Sequence, residues 1–203
     1  MGKYKQGILG SFTGKVGTVV GSSWRGIPVM RAKAVNPKNP RTAAQVETRN
    51  RMAATVRALR PFLESIRHGY IAPSGTSAWC EAVKANRKKT TKTEGGDYAL
   101  KPADIELTDG TELFEATLTL SGSSLTVEWD APRPYDPMYD GSVHVAVLNA
   151  TTGRALNFSA DASAGETTLS VAAIEAGADT DELHAYVFAA TKEAASMMTH
   201  KEL

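Results

Sequence analysis

The sequence predicts an α+β chain in which an N-terminal β-hairpin plus helices precede an immunoglobulin/fibronectin-like antiparallel β-sandwich. Three observations predict it: glycine-punctuated β-branched stretches in residues 7–35, a helical apolar period in residues 42–89, and a switch to period two in the second half.

In the first stretch, Val16, Val19 and Val20, then Trp24, then Ile27 and Val29 suggest two short strands turning near Arg25 and Gly26. Pro28 makes the second an edge strand or irregular, because proline cannot donate to a ladder. A hairpin this small is marginal in water, so it must pack on the helices, on the second domain or on another subunit. Residues 36–40 (Asn-Pro-Lys-Asn-Pro) are a stiff break, and Thr42 with Gln45 has the spacing of a capping box that opens a helix. Met52, Val56, Leu59, Leu63 and Ile66 fall on one face, with Arg49, Arg57, Arg60 and Arg67 as a second stripe beside it. Pro61 removes a helical hydrogen bond, which predicts a kink or a restart there. A last helix from about Ser77 to Lys89 presents Trp79, Ala82, Val83 and Asn86 on one side.

Residues 88–97 are polar and aperiodic, and they set the expected boundary between a basic segment, 1–92, and an acidic sandwich, 93–203. Beyond it Leu118 and Leu120, then Leu125, Val127 and Trp129, then Val143, Val145 and Val147 alternate with smaller or more polar neighbours. Further strands are expected at 155–160, 167–171, 183–190 and 195–199, giving about seven short strands in about 100 residues. The Cys…Trp…Cys spacing of antibody domains is missing, so the likeness is one of architecture.

The 203 residues hold 23 Lys+Arg and 22 Asp+Glu, a net charge of +1 that hides an asymmetry. Residues 1–92 carry 18 bases and 3 acids, residues 93–203 carry 5 bases and 19 acids. The basic half therefore faces an anion, a nucleic acid or an acidic protein surface. The single cysteine, Cys80, forms no internal disulfide and reads as core packing. No apolar run reaches the ~18–20 residues of a membrane helix. Glycines and Lys15 interrupt the N-terminus before a signal-peptide apolar region develops, which suggests a protein that reaches its site by assembly.

Catalytic and cofactor motifs do not emerge. Gly14 and Lys15 evoke a phosphate loop, but Leu9 stands where that loop has glycine and Val16 where it has Ser or Thr. His68, His144, His184 and His200 are dispersed; His144 and His184 lie in expected strands and read as strand histidines rather than zinc ligands. Asp130, Asp136 and Asp140, with Asp179, Asp181 and Glu182, lack the spacing of a calcium loop. No metal site, cofactor or catalytic residue is assigned. The interaction residues expected are Trp24, Arg49, Arg57, Arg60, Arg67, Arg87, Lys88 and Lys89.

Four stretches carry a resemblance: residues 7–21, residues 24–27 (Trp-Arg-Gly-Ile), residues 39–45 (Asn-Pro-Arg-Thr-Ala-Ala-Gln) and residues 77–86. Together they resemble a domain-of-unknown-function family of roughly 200-residue proteins common in Bacteroidota. The Asn-Pro-Arg-Thr-x-x-Gln pattern is also similar to a segment of proteins encoded among phage and prophage structural genes. The family brings no catalytic residues; the phage likeness implies a non-enzymatic structural or assembly protein of the neck, tail or capsid surface, located in the virion or in the cytoplasm before assembly. Its partners would be other copies and other particle proteins, the basic segment of one copy meeting the acidic segment of the next. The alternatives are a nucleic-acid-binding module with an acidic interaction domain and, from the sandwich alone, a cell-surface adhesin or carbohydrate binder.

Overall fold

A computed structural model describes residues 3–4, 10–73, 75–111, 114–132, 141–174, 182–191, 195–196 and 198–203. The chain divides into two compact units, Met1–Thr42 and Ala43–Leu203. The first is an antiparallel sheet of four strands in chain order: β1 (Lys3–Tyr4), β2 (Phe12–Val16), β3 (Val19–Trp24) and β4 (Ile27–Ala32). The turn expected near Arg25 and Gly26 joins β3 to β4, Trp24 facing Ile27 across two residues, but Val16, expected in one strand with Val19 and Val20, ends β2 and pairs with Val19 across a second tight turn. Arg25 and Gly26 both hold positive φ, 49° and 83°, the backbone such a tight turn requires. Gly21 is the single buried residue among the described residues of this unit. A Cβ at Gly21 would overlap the backbone and ring of Phe12, so glycine lets that aromatic side chain lie flat across the sheet.

The second unit has three layers: helices, a four-stranded sheet and a three-stranded sheet. Its helices are α1 (Ala43–Leu59), α2 (Leu63–Gly69) and α3 (Ala78–Lys89). Pro61 sits in a 3-10 turn, Arg60–Phe62, between α1 and α2, which is the restart its missing N–H dictates. That turn moves the apolar phase: Leu59, Phe62 and Ile66 are fully buried, whereas Met52 and Leu63 are about two-fifths exposed. A short hairpin of β5 (Thr91–Lys92) and β6 (Tyr98–Ala99) follows α3.

The remaining strands are β7 (Ala116–Ser121), β8 (Ser124–Trp129), β9 (Ser142–Asn149), β10 (Arg154–Asp161), β11 (Glu166–Ser170), β12 (Leu183–Ala190) and β13 (Thr199–Glu202). One sheet runs β11-β8-β7 and the other β10-β9-β12-β13, the crossed order of an immunoglobulin/fibronectin-type sandwich. The last strand begins later than the expected 195–199. Ser196 instead closes back on Ala189, accepting from its N–H through Oγ at 2.8 Å and donating its own N–H to its carbonyl at 2.8 Å.

Between the sheets lies an aliphatic core including Leu125, Val127, Val143, Val145, Val147 and Val187, with Trp129 donating Nε1–H to the Ala162 carbonyl at 2.7 Å. The other face of the four-stranded sheet is covered as well. Ala146, Leu148, Tyr186 and Phe188 form a second core with Leu59, Phe62, Ile66, Val83 and Leu107. Both central strands are thus buried on two faces, and every residue of β12 is buried.

This second core accounts for the placement of the unit boundary at 42/43 rather than 92/93. The change in charge sign at residues 88–97 falls inside the second unit, because the basic helices supply half of a core whose other half is the acidic sandwich's sheet.

Candidate functional site

The site is a groove between α1 and α3. Two hydroxyls join these helices: Thr55 Oγ1 and Thr90 Oγ1 are 2.8 Å apart and buried, and Thr55 Oγ1 also donates to the Arg51 carbonyl. Ser77 caps α3 by accepting the Cys80 N–H at 3.3 Å, while Arg87, Lys88 and Lys89 occupy its last turn, where the helix dipole favours cations. From beneath, Asn86 fixes the helix. Its amide donates to the carbonyls of Ala82 and Glu106 and accepts the Glu106 N–H, with distances between 2.7 and 2.9 Å and no solvent exposure. A buried amide with its hydrogen bonds made is rigid rather than costly.

The groove holds about 540 Å³, with Met52, Trp79 and Val83 as an apolar floor, Cys80 beside them, and Arg51, Lys84, Arg87 and Lys88 around the rim. Among the described residues no carboxylate lines it. Lys84 pairs with Glu81 at 3.2 Å, an exposed contact of small energetic weight. Arg51 sits 5.5 Å from the centre of the Tyr98 ring, and the Tyr98 hydroxyl donates to Glu47 at 2.6 Å, an interaction that raises the phenol's pKa. The result is an apolar trough under four cations, suited to an anionic ligand that also carries apolar or aromatic groups.

The expected interaction residues separate. Arg87 and Lys88 reach the groove. Lys89 is bound to Glu106 at 2.7 Å and Arg67 to Glu64 at 2.7 Å. Arg57 lines a different cavity of about 420 Å³ with Tyr98, Leu148 and Glu182. Arg49 and Arg60 are exposed, on α1 and on the 3-10 turn, and the restart at Pro61 breaks the continuous arginine stripe. Trp24 belongs to the first unit, 56% exposed, with Arg25 stacked over its ring at 5.9 Å. The sequence reading missed Arg51, Met52, Lys84 and Cys80. Met52 fell on the apolar stripe and Cys80 read as core; the available signal was Trp79 and Val83 one turn apart, flanked by Lys84, Arg87 and Lys88.

The histidines are also redistributed. His144 is opposite Phe188 and His184 opposite Leu148, so the two are not neighbours across the strands. His144 stacks on His68 of α2 at 4.4 Å, and burial together with the His68 charge lowers its pKa to about 4. His184 bridges Glu182 at 2.9 Å and His200 at 3.1 Å. Burial first and then the His184 charge lower the His200 pKa. Among the described residues no group of three His, Cys, Asp or Glu side chains is arranged to hold a metal ion. Of the acidic loops, Asp136, Asp140, Asp179 and Asp181 lie outside the described residues. Within the described residues no helix is long and apolar enough to cross a membrane.

A search of curated proteins finds no match to this chain. Among solved structures, the chain is similar to an fn3 domain of the human collagen alpha-1(XX) chain, at 15% identity and a TM-score of 0.35, covering 47% of this chain and 86% of that one. A second structure of an FN3 domain of human collagen XX gives 16%, 0.35, 47% and 98%, and the fn3 domain of human contactin 1 gives 13%, 0.30, 47% and 80%. A family model covers residues 11–198, nearly the whole chain, and by that match the protein belongs to a family of unknown function, DUF6266.

Proposed function

We propose that the protein is a non-enzymatic structural subunit of a phage or phage-like particle, and that its N-terminal sheet docks on a neighbouring subunit. The observation that carries the reading is a sheet without a core. Four strands bury only Gly21 among their described residues, while Trp24, Ile27 and Met30 are 56%, 59% and 67% exposed. Such a sheet gains little from folding alone and much from covering those side chains on a partner.

Charge supports an acidic protein partner. Residues 1–42 carry eight Lys or Arg and no acid; residues 43–203 carry 15 bases and 22 acids, so the second unit of one copy is the counter-charge to the first unit of another. A contact between two different patches is heterologous and propagates into a ring or a filament. The resemblance read from the sequence of residues 39–45 is the ground for proposing a neck, tail or capsid surface as the place of that assembly.

Size-exclusion chromatography with light scattering tests this reading. Oligomers are expected at low salt, shrinking toward monomer at ~0.5 M salt as the Debye length falls. A strict monomer at both salts and at high protein concentration overturns it.

A nucleic-acid module is the second reading, favoured by the cationic rim of the α1–α3 groove. It predicts duplex binding whose log affinity falls linearly with log salt and whose slope drops when Arg87 and Lys88 are replaced. The apolar floor of Met52, Trp79 and Val83 favours a polypeptide over a phosphate backbone.

A further inference from the structure

We propose that the α1–α3 groove receives residues 130–140 of a second copy of the chain. The inference rests on the assembly reading and gives it a specific contact. Residues 133–140 lie outside the described residues, so the argument uses their sequence: Asp130-Ala-Pro-Arg-Pro-Tyr-Asp-Pro-Met-Tyr-Asp140.

The two chemistries match. Pro132, Pro134 and Pro137 favour an extended polyproline-type segment that loses little entropy on binding, and such segments are recognised by aromatic-lined apolar grooves. Tyr135, Met138 and Tyr139 supply side chains for a floor of Trp79, Met52 and Val83. Asp130, Asp136 and Asp140 supply carboxylates for Arg87 and Lys88, which carry no carboxylate of their own among the groove's lining residues. Arginine over tyrosine adds a cation–π contribution, as Arg51 already makes with Tyr98.

The assembly reading supplies the second copy, whose residues 130–140 carry three acids against one base, Arg133, and so complement a groove lined by four bases.

Cys80 supplies the readout, because the chain's one cysteine lines the groove and is exposed. The full chain is alkylated at Cys80 in the presence of a synthetic peptide with the sequence of residues 130–140. The peptide is expected to slow alkylation at least fivefold at saturation. Replacing Arg87→Gln with Lys88→Gln, both exposed, is expected to weaken protection at least tenfold with only a small fall in melting temperature, and a peptide with all three Asp changed to Asn is expected to lose it. No protection at millimolar peptide, or protection that survives both changes, overturns the proposal. So does a DNA duplex that protects Cys80 where the peptide does not. If salt-sensitive oligomers persist undiminished in the double variant, the groove contact is refuted and the assembly reading stands; if the chain is monomeric throughout, no second copy occupies the groove and both fall, whatever the peptide does.

Discussion

The two units solve the problem of a β-sheet's faces in opposite ways. In residues 43–203 the four-stranded sheet is sealed twice, by aliphatic side chains of the opposing sheet and by Phe62, Leu59 and Ile66 from the helices. In residues 1–42 a sheet with the same number of strands leaves Trp24, Ile27, Val29 and Met30 uncovered and buries only Gly21 among its described residues. The difference teaches where stability resides: one sheet is sealed on both faces, the other leaves its large apolar side chains exposed.

Substitutions on either side put that contrast to work. Phe62 is fully buried and meets Tyr186 edge-on at 5.3 Å, so Phe62→Ala should cost about 3–5 kcal/mol of unfolding free energy in a denaturant melt. A cost below ~1 kcal/mol would show that the helices do not form one core with the sheet.

Acid probes the same layer. His144 faces His68 from α2, Phe188 from β12 and the register partner Ser159 of β10. Its folded pKa of about 4 lies below the ordinary 6.5, so the unfolded chain binds the proton first and stability falls with pH through that window. The loss should approach about 3 kcal/mol at the acid end and flatten in His144→Gln. A pH-independent stability between those values contradicts the buried neutral imidazole.

Asn86→Ala strips partners from the Glu106 N–H and leaves its carbonyl with only the 3.3 Å Tyr70 hydroxyl, which predicts a loss of about 2 kcal/mol. Met30→Ser in the first unit should change the melting of the dilute protein by less than about 0.5 kcal/mol while weakening oligomers at low salt. An equal effect of Met30→Ser and Phe62→Ala on the monomer would erase the distinction between the units.

Much of this architecture was legible in local pattern. The turn at Arg25 and Gly26, the Pro61 restart, the Ser77 start of α3 and six of the seven sandwich strands follow from turn chemistry and apolar period. The helix-to-sheet core was not, because its signal is nonlocal. On β9 and β12 the second face is made of Ala146, Leu148, Tyr186 and Phe188, and a period-two reading that follows Val143, Val145 and Val147 assigns that face no partner until helices are known to cover it. For the same reason charge misled: the +15 and −14 halves suggested separate domains, yet chemistry on a surface says nothing about what lies beneath it. The groove was half legible, since Arg87 and Lys88 stood out in sequence but Arg51 and Met52 join them through the packing of α1 on α3, where Thr55 meets Thr90.

Hydrogen exchange, followed from dilute to concentrated protein at low salt, tests the central contrast most directly. The account predicts that amides of β9 and β12 are protected at every concentration, while those of β2 to β4 exchange rapidly in the dilute monomer and gain protection as oligomers form. Protection of β2 to β4 in the dilute monomer equal to that of β9 and β12 would contradict it.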